Sequence, residues 1–129
     1  MARAQLEQVG LKRELQLAEQ IQKGLLPSVL PNNNHLSAKA IHQSFGEVGG
    51  DYYDLIQTSE NEYYFCIADI SGKGISAALL MSNFQATFRA TVNQGIPLVK
   101  LLNLLNKSVI ESSRGDRFIT FFVGKYDCI

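Results

Sequence analysis

The sequence has no long apolar run, no basic cluster and no paired cysteine motif, and each absence excludes a class of function. No stretch approaches the roughly 20 apolar residues of a membrane span, and the N-terminus lacks the apolar segment of a signal peptide. The 12 basic and 12 acidic side chains cancel, which makes nucleic acid an unfavourable partner. We therefore expect a cytoplasmic chain whose 129 residues suffice for one globular domain.

Metal-binding cysteines and activated nucleophiles also lack support. Cys66 lies in an apolar run and Cys128 is next to last, with no CxxC spacing, so both are predicted to be reduced thiols. His35 and His42 have no ligand-like neighbour at helical or hairpin spacing and receive no role. No Gly-x-Ser-x-Gly motif occurs, and neither cysteine has a candidate base partner.

Two acidic segments flanked by glycine organise the rest: GGDYYD at 49–54 and ADISGKG at 68–74. The β-rich runs 52–57 and 63–70 are joined by a polar turn, which predicts a hairpin. That hairpin would bring Asp51 and Asp69 to the same end of a sheet, where they suit a hard cation. Taken singly, each motif is more typical of a turn, since Asp and Gly are common turn residues. The pairing and the helix that follows favour a metal site.

The N-terminal third is predicted to be a helix, a loop and a weak strand. The helix covers residues 2–26 and stops at Pro27. Its apolar stripe fits either the end of a coiled coil or a helix packed on its own domain, and it contains Leu11, Leu15, Ala18, Gln22 and Leu25, widened by Leu17 and Ile21. Residues 27–35 read as a loop, 36–45 as a strand and 46–50 as a turn.

Two helices and a strand are predicted after Gly74. Ser71 or Ser76 is expected to cap the first helix. The face of that helix is predicted from Ile75, Leu79, Ser82, Ala86 and Ala90, with Ala78, Met81, Gln85 and Phe88 alongside. The second helix covers 97–112, with an apolar face of Leu98, Leu101, Leu102, Leu105 and Val109, and the strand covers 118–126. This order favours an α+β fold in which helices cover one face of an antiparallel sheet.

The SGKG segment at 71–74 differs from a phosphate-binding loop of nucleotide-binding proteins. Such a loop needs a glycine five residues before Gly-Lys and a Ser or Thr after the lysine, whereas Ile67 and Gly74 occupy those positions. A helix N-terminus beside Lys73 still attracts anions, so a phosphate drawn there is one reading. A solvated turn lysine is the other.

The segments 48–54 (VGGDYYD) and 68–81 (ADISGKGISAALLM) resemble the SpoIIE-like branch of the metal-dependent protein phosphatases. Residues 18–27 are similar to the helix before that domain, and 118–124 to a later family strand. The resemblance implies a four-layer α/β-β/α sandwich with two manganese or magnesium ions, whose activated water attacks phosphoserine or phosphothreonine. It implies that Asp51 and Asp69 are the metal-binding, catalytic aspartates and that the Ile70 carbonyl also binds metal. Asp54 is expected to lie behind these ligands and to interact with them without binding the metal itself.

The sequence departs from the family pattern in a loop change that we expect to be tolerated and in missing motifs that bear on activity. Phe45-Gly46 replaces a frequent Pro-Ala, and the later Asn-Ala-Gly-His, Asp-Gly and Asp-Asp motifs, which supply further carboxylates, are absent. We expect residues 1–27 to be a regulatory linker helix and 28–129 the N-terminal portion of a catalytic domain. Such a chain would bind metal weakly, turn over little substrate and leave an apolar sheet face uncovered.

The resemblance also implies partners. The family's usual substrate is a phosphorylated anti-anti-sigma-type protein, and its N-terminal helix connects to an upstream sensor domain and helps form a homodimer. A competing hypothesis is a non-catalytic, phosphatase-like interaction module. That module would tolerate loss of Asp51 or Asp69, whereas an enzyme would lose metal and activity.

Overall fold

The computed structural model describes residues 2–43 and 48–129. Their regular elements are helix α1 (Ala2–Leu25), strands β1 (Asp51–Ser59) and β2 (Glu62–Ile70), helices α2 (Gly74–Val92) and α3 (Leu98–Ser113), and strand β3 (Ile119–Asp127). The strands form one antiparallel sheet in the order β1-β2-β3, with β2 in the centre. The predicted α+β class, the hairpin and all three helices are confirmed, with bounds that differ from the predicted ones by one or two residues.

The helices α2 and α3 cover one face of the sheet, and the core lies between them. Tyr52 of β1 meets the rings of Phe84 and Phe88 edge-on, and both of those rings also contact Phe121 of β3. Burying these aromatic side chains removes large apolar areas from water, which is the main stabilising contribution available to a sheet this small. The core therefore fastens α2 to β1 and β3 through ring contacts.

The predicted face of α2 is partly wrong. Ile75 and Leu79 are 50% and 66% exposed, and the buried side chains are Ala77, Leu80, Met81, Phe84, Gln85, Phe88, Thr91 and Val92. The helix has two apolar stripes, and the aromatic one packs on the sheet because its side chains bury more apolar area. On α3, the buried residues Leu101, Leu105 and Val109 lie on the predicted face, while Leu102 is 41% exposed.

The predicted strand at 36–45 is wrong over residues 36–43, which hold only an isolated bridge between Asn32 and Ser37. The Asn33 side chain accepts the backbone N–H groups of His35 and Leu36, which closes a turn where the strand was expected to begin. Residues 44–47 lie outside the described part, and with them the end of the predicted strand, the Phe45-Gly46 departure and the first two residues of the predicted turn at 46–50.

Among the described residues, helix α1 packs on the domain through its C-terminal half alone. Its side chains at Leu15, Ala18, Gln22 and Leu25 are half-buried, and none of its residues is fully buried. The predicted seam is therefore used, at this end, for packing within the chain. On a different side of the helix, Leu6, Leu17 and Ile21 are 72%, 53% and 68% exposed.

The second face of the sheet carries no helix among the described residues. We call it the open face; its cross-strand rows are Asp51-Asp69-Thr120, Tyr53-Ile67-Phe122, Leu55-Phe65-Gly124 and Gln57-Tyr63-Tyr126. Ile67 and Phe122 are 66% and 63% exposed. A groove of about 770 Å³ runs between this face and the segment from Leu30 to His42. An apolar surface thus lies directly beside the row that holds the two aspartates.

Candidate functional site

Asp51 and Asp69 lie directly opposite each other in the hairpin. Asp51 is the first residue of β1 and Asp69 the penultimate residue of β2, and the antiparallel register pairs them. Both side chains are exposed, at the end of the open face. The sequence predicted this proximity from strand lengths and a turn, and the prediction is confirmed.

The two carboxylates interact unfavourably when both are charged. The pKa of Asp51 is raised, first by partial burial and then by the charge of Asp69, which also hydrogen-bonds to it. His42 opposes the rise, because its Nε2 lies 3.9 Å from Asp51 Oδ2. A pair of like charges at one end of a sheet is the arrangement that a bound cation would relieve.

The position of His42 could not be found by sequence reasoning. It comes from the irregular segment that crosses the open face, and no fixed spacing relates it to Asp51. Only the path of that segment places the imidazole beside the carboxylate.

The backbone of Ile70 passes unusually close to Gly50. Ile70 N–H donates to the Gly50 carbonyl at 3.1 Å. A Cβ on residue 50 would lie 2.8 Å from Ile70 Cβ and 3.0 Å from the Ile70 carbonyl oxygen, so a larger residue would push the strands apart. The Ile70 carbonyl is therefore held beside the residue that precedes Asp51, while its side chain is buried in the core.

The loop between Ile70 and α2 differs from the predicted capping arrangement. Lys73 occupies the cap position without a side-chain hydrogen bond, so the predicted caps Ser71 and Ser76 are wrong. Both hydroxyls bond elsewhere: Ser71 Oγ accepts the Phe118 backbone N–H at 3.0 Å, and Ser76 Oγ accepts Arg117 Nη2 at 2.8 Å. No local pattern in the sequence predicts these contacts, which join segments more than 40 residues apart.

Asp54 does not support the aspartate pair. Its side chain is buried on the helix face of the sheet, where it accepts hydrogen bonds from the Tyr52 hydroxyl and from Arg89 Nε, the latter at 2.7 Å. The expectation that it lies behind the metal ligands is wrong, because an offset of three along a strand reverses the face. Arg89 also donates to the Leu25 carbonyl at 3.1 Å, as does Gln85 at 2.6 Å, so this cluster attaches the end of α1.

A second cleft, of about 420 Å³, opens on the aspartate pair from the side of α1. Its wall includes Glu19, Gln22 and Lys23 from the helix and Lys73 from the loop. The Gln22 side chain bonds both backbone groups of Gly49, donating to its carbonyl and accepting its N–H at 3.0 Å. The C-terminal part of α1 thus contacts the segment that leads into β1 at Asp51.

The donor set suits a hard divalent cation in part. Two carboxylates on adjacent strands and a nearby backbone carbonyl are oxygen ligands of the kind that Mg²⁺ and Mn²⁺ prefer. Within residues 2–43 and 48–129, no group of three or more His, Cys, Asp or Glu side chains is close enough to hold one ion. The described residues therefore offer Asp51, Asp69 and the Ile70 carbonyl as ligands, with room for others.

None of the described helices combines the length and the hydrophobicity that a membrane span requires.

Comparisons with known proteins agree on one family. The family model described as Stage II sporulation protein E (SpoIIE) matches residues 59–129, a range that includes Asp69. The chain is 32% identical over 120 residues to phosphoserine phosphatase RsbU of Bacillus subtilis (strain 168), covering 93% of this chain and 36% of the relative. It is 32% identical over 99 residues to phosphoserine phosphatase RsbP of the same strain, covering 77% and 24%.

One solved structure extends the comparison to the fold. The crystal structure of the RsbU and RsbW domains of Rv1364c from Mycobacterium tuberculosis is similar with a TM-score of 0.55 and 25% sequence identity. The match covers 62% of this chain and 22% of that one. The chain thus spans well under half of the length of each of these three proteins.

Proposed function

The chain belongs to the SpoIIE family, a branch of the metal-dependent protein phosphatases, and we propose that it contributes to hydrolysis of phosphoserine or phosphothreonine on a regulatory protein. The observation that carries this proposal is the cross-strand pair of Asp51 and Asp69, with the Ile70 carbonyl close to Gly50, the residue before Asp51. The names of two relatives, both phosphoserine phosphatases, support the substrate class.

In this proposal Asp51, Asp69 and the Ile70 carbonyl hold Mn²⁺ or Mg²⁺ in a two-metal site. When bound, these ions supply an activated water for attack on phosphorus, without a phosphoenzyme. Both carboxylates must be ionised to act as ligands, so the raised pKa of Asp51 makes cation binding weaken as the pH falls. Occupancy of the site in turn removes the repulsion between the two charges.

The start of α2 is proposed to orient the phosphoryl group. The first N–H groups of α2 have no side-chain cap, and Lys73 lies in the cleft that opens on the aspartates. Free N–H groups and a positive charge attract an anion to this end of the helix. The alternative, a lysine that only contacts solvent, predicts no change in KM when Lys73 is replaced.

The complete fold is proposed to be the four-layer sandwich of the family. The exposed Ile67 and Phe122 and the apolar groove beside them support this, because a second sheet would remove that surface from water. Residues 1–27 would be a linker helix and 28–129 the N-terminal portion of the catalytic domain. Further metal ligands would come from the rest of that domain.

The proposed partners are a phosphorylated anti-anti-sigma-type substrate in the cytoplasm, an upstream sensor domain and a second copy of the protein bound through α1. The exposed Leu6, Leu17 and Ile21 on α1 support the homodimer, since a surface helix rarely exposes an apolar stripe without a partner.

One observation favours the second candidate, a phosphatase-like module that binds a partner without hydrolysis. The described residues bring only two carboxylates to the site. The two candidates differ in their response to Asp51→Ala and Asp69→Ala, which the module tolerates and the enzyme does not.

The first experiment compares manganese-dependent hydrolysis of a small aryl phosphate by this chain and by a version extended through the later family motifs. Each is paired with its Asp69→Ala variant. Hydrolysis by the extended version alone, abolished by the substitution, is the expected result. Absence of hydrolysis in both versions would favour the binding module.

A further inference from the structure

We propose that Arg117 is a positioning residue that fixes the Ile70 carbonyl at the metal site, an inference that rests on the proposed function. Arg117 lies in the connection between α3 and β3, two residues before β3 begins. Its guanidinium spans the loop between β2 and α2, from the Ser71 carbonyl to the Ser76 hydroxyl. Arg117 is not itself one of the proposed metal ligands.

The entry to β3 first fixes the peptide unit that carries the Ile70 carbonyl. Ser71 N–H donates to the Phe118 carbonyl at 2.9 Å, and Phe118 N–H donates to Ser71 Oγ at 3.0 Å. In a trans peptide the N–H and C=O groups point in opposite directions. The Ile70 carbonyl must then point away from Phe118, and it lies on the side of Gly50, where Asp51 begins.

Arg117 fixes the next peptide unit. Its Nη1 donates to the Ser71 carbonyl at 3.0 Å and its Nη2 to Ser76 Oγ at 2.8 Å, so one rigid planar group connects the loop to the first turn of α2. Gly72 has a φ of 89°, and a Cβ there would lie 1.6 Å from Arg117 Nη1. The loop therefore has the shape that leaves room for the guanidinium.

Without Arg117, the Ser71 carbonyl loses its donor among the described residues, and the unit that carries the Ile70 carbonyl is held only by the hydrogen bonds between Ser71 and Phe118. A more mobile loop after Ser71 would weaken these remaining bonds and let the Ile70 carbonyl leave its place beside Gly50. Residues that orient metal ligands from outside typically change metal affinity by about 10- to 100-fold when they are replaced. A positioning role thus predicts weaker metal binding.

Simple electrostatics predicts the opposite sign. Arg117 is a cation near a cation site, so its removal should tighten metal binding if charge were its only effect. The direction of the change in Mn²⁺ affinity therefore separates positioning from charge.

The test measures Mn²⁺ binding by isothermal titration calorimetry in the full-length protein with Arg117→Met. We expect an increase in Kd of about 10-fold or more, together with a lower kcat. Arg117→Lys keeps the charge but cannot bridge both oxygens, so its Kd should also rise. The matched control is Arg114→Met, since the exposed Arg114 side chain has no hydrogen bond or ion pair within the described residues.

An unchanged or lower Kd in folded Arg117→Met would overturn the positioning role. Folding is checked by circular dichroism, and if Arg117→Met does not fold, Ser76→Ala replaces it. That variant frees one end of the guanidinium, so it should raise Kd and speed amide exchange at Ser71, and no change in either would overturn the role. A wild-type protein that binds no Mn²⁺ would instead refute the proposed function, and the role of Arg117 with it.

Discussion

Asp51 and Asp54 are three residues apart on β1, and their side chains leave opposite faces of the sheet. Asp51 is exposed on the open face beside Asp69, whereas Asp54 is 4% exposed and bonded to Arg89 beneath α2. One carboxylate is thus available for a ligand, and the other fixes a helix to the sheet. The two roles lead to different expectations for stability.

We expect Asp69→Asn to stabilise the metal-free chain while removing its response to metal. Like charges directly opposite in an antiparallel pair destabilise it, by roughly 0.2 to 1 kcal/mol, and the neutral amide removes that repulsion. The raised pKa of Asp51 leads to the same expectation, because ionisation of this carboxyl disfavours the folded state. Stability is therefore lost as the pH rises through the folded pKa of Asp51. The advantage of Asp69→Asn should therefore appear at pH 7 and shrink near pH 3.

The measurement is thermal unfolding with a chelator and then with Mn²⁺. Metal should raise the Tm of the wild type and leave that of the variant unchanged. Glu60→Gln, at an exposed position in the hairpin turn, is the control for general charge effects. A variant less stable than wild type in chelator would contradict the prediction.

Arg89→Met should destabilise the chain by about 2 to 3 kcal/mol, less than for a fully buried pair because the Arg89 side chain is 43% exposed. The substitution removes the charged partner of the buried Asp54 carboxylate, which keeps only the Tyr52 hydroxyl and the Leu55 N–H as donors among the described residues, and it removes one donor from the Leu25 carbonyl. Urea unfolding measures the loss. Adding Asp54→Asn to Arg89→Met should recover part of it, because no buried charge is then unpaired.

Arg114→Met is the control for this series, as it removes the same charge from an exposed site. A loss below about 0.5 kcal/mol in Arg89→Met would show that the pair contributes no more than a surface ion pair.

The sequence was sufficient for the features that depend on neighbouring residues. Aromatic and β-branched runs around a polar turn predict the hairpin, and the hairpin alone places Asp51 opposite Asp69. It was insufficient where partners meet through space. Arg117 and Arg89 contact residues 41 and 35 positions away, and no spacing rule relates them.

The incorrect face of α2 has a related cause. Helical periodicity identifies both the stripe with Ile75 and Leu79 and the stripe with Phe84 and Phe88. Which stripe is buried depends on the surface opposite, and that surface is formed by rings from β1 and β3. Information on a distant strand is needed to decide, and local periodicity does not contain it.

Cys66 should be inert to thiol reagents in the folded chain, even at mildly alkaline pH. It is 2% exposed, and burial raises its pKa to about 12, so almost no thiolate is present at pH 8. In Cys128→Ser, a disulfide reagent should release no chromophore at pH 8 and one equivalent in urea. Rapid reaction without denaturant would contradict the burial of Cys66.

The same pKa gives a stability trend. A thiol with a raised folded pKa contributes stability below its unfolded pKa, and that contribution is lost as the pH rises from about 9 toward 12. Cys66→Ala should flatten this part of the stability profile relative to Cys128→Ser.

The homodimer proposed for α1 should depend on the side of the helix that does not pack on the domain. Leu17 and Ile21 are one turn apart and both more than half exposed, so Leu17→Asp with Ile21→Asp places two charges on that side without disturbing the core. We expect a lower sedimentation coefficient at concentrations where the wild type forms a dimer. The Tm should be unchanged when both proteins are compared at concentrations where the wild type is monomeric. The control is Gln5→Asp with Gln16→Asp, which adds the same two charges at exposed positions on the polar side of α1.

Leu15→Asp with Ile21→Asp tests the seam predicted from the sequence and should differ in one respect. Because Leu15 is half-buried on the seam that continues onto the domain, this pair should lower Tm as well as weaken association. If Leu17→Asp with Ile21→Asp left sedimentation unchanged while the Leu15 pair reduced it, the dimer would use the seam instead. The exposed stripe with Leu17 and Ile21 would then be expected to bind another partner, because exposure of apolar side chains to water is unfavourable.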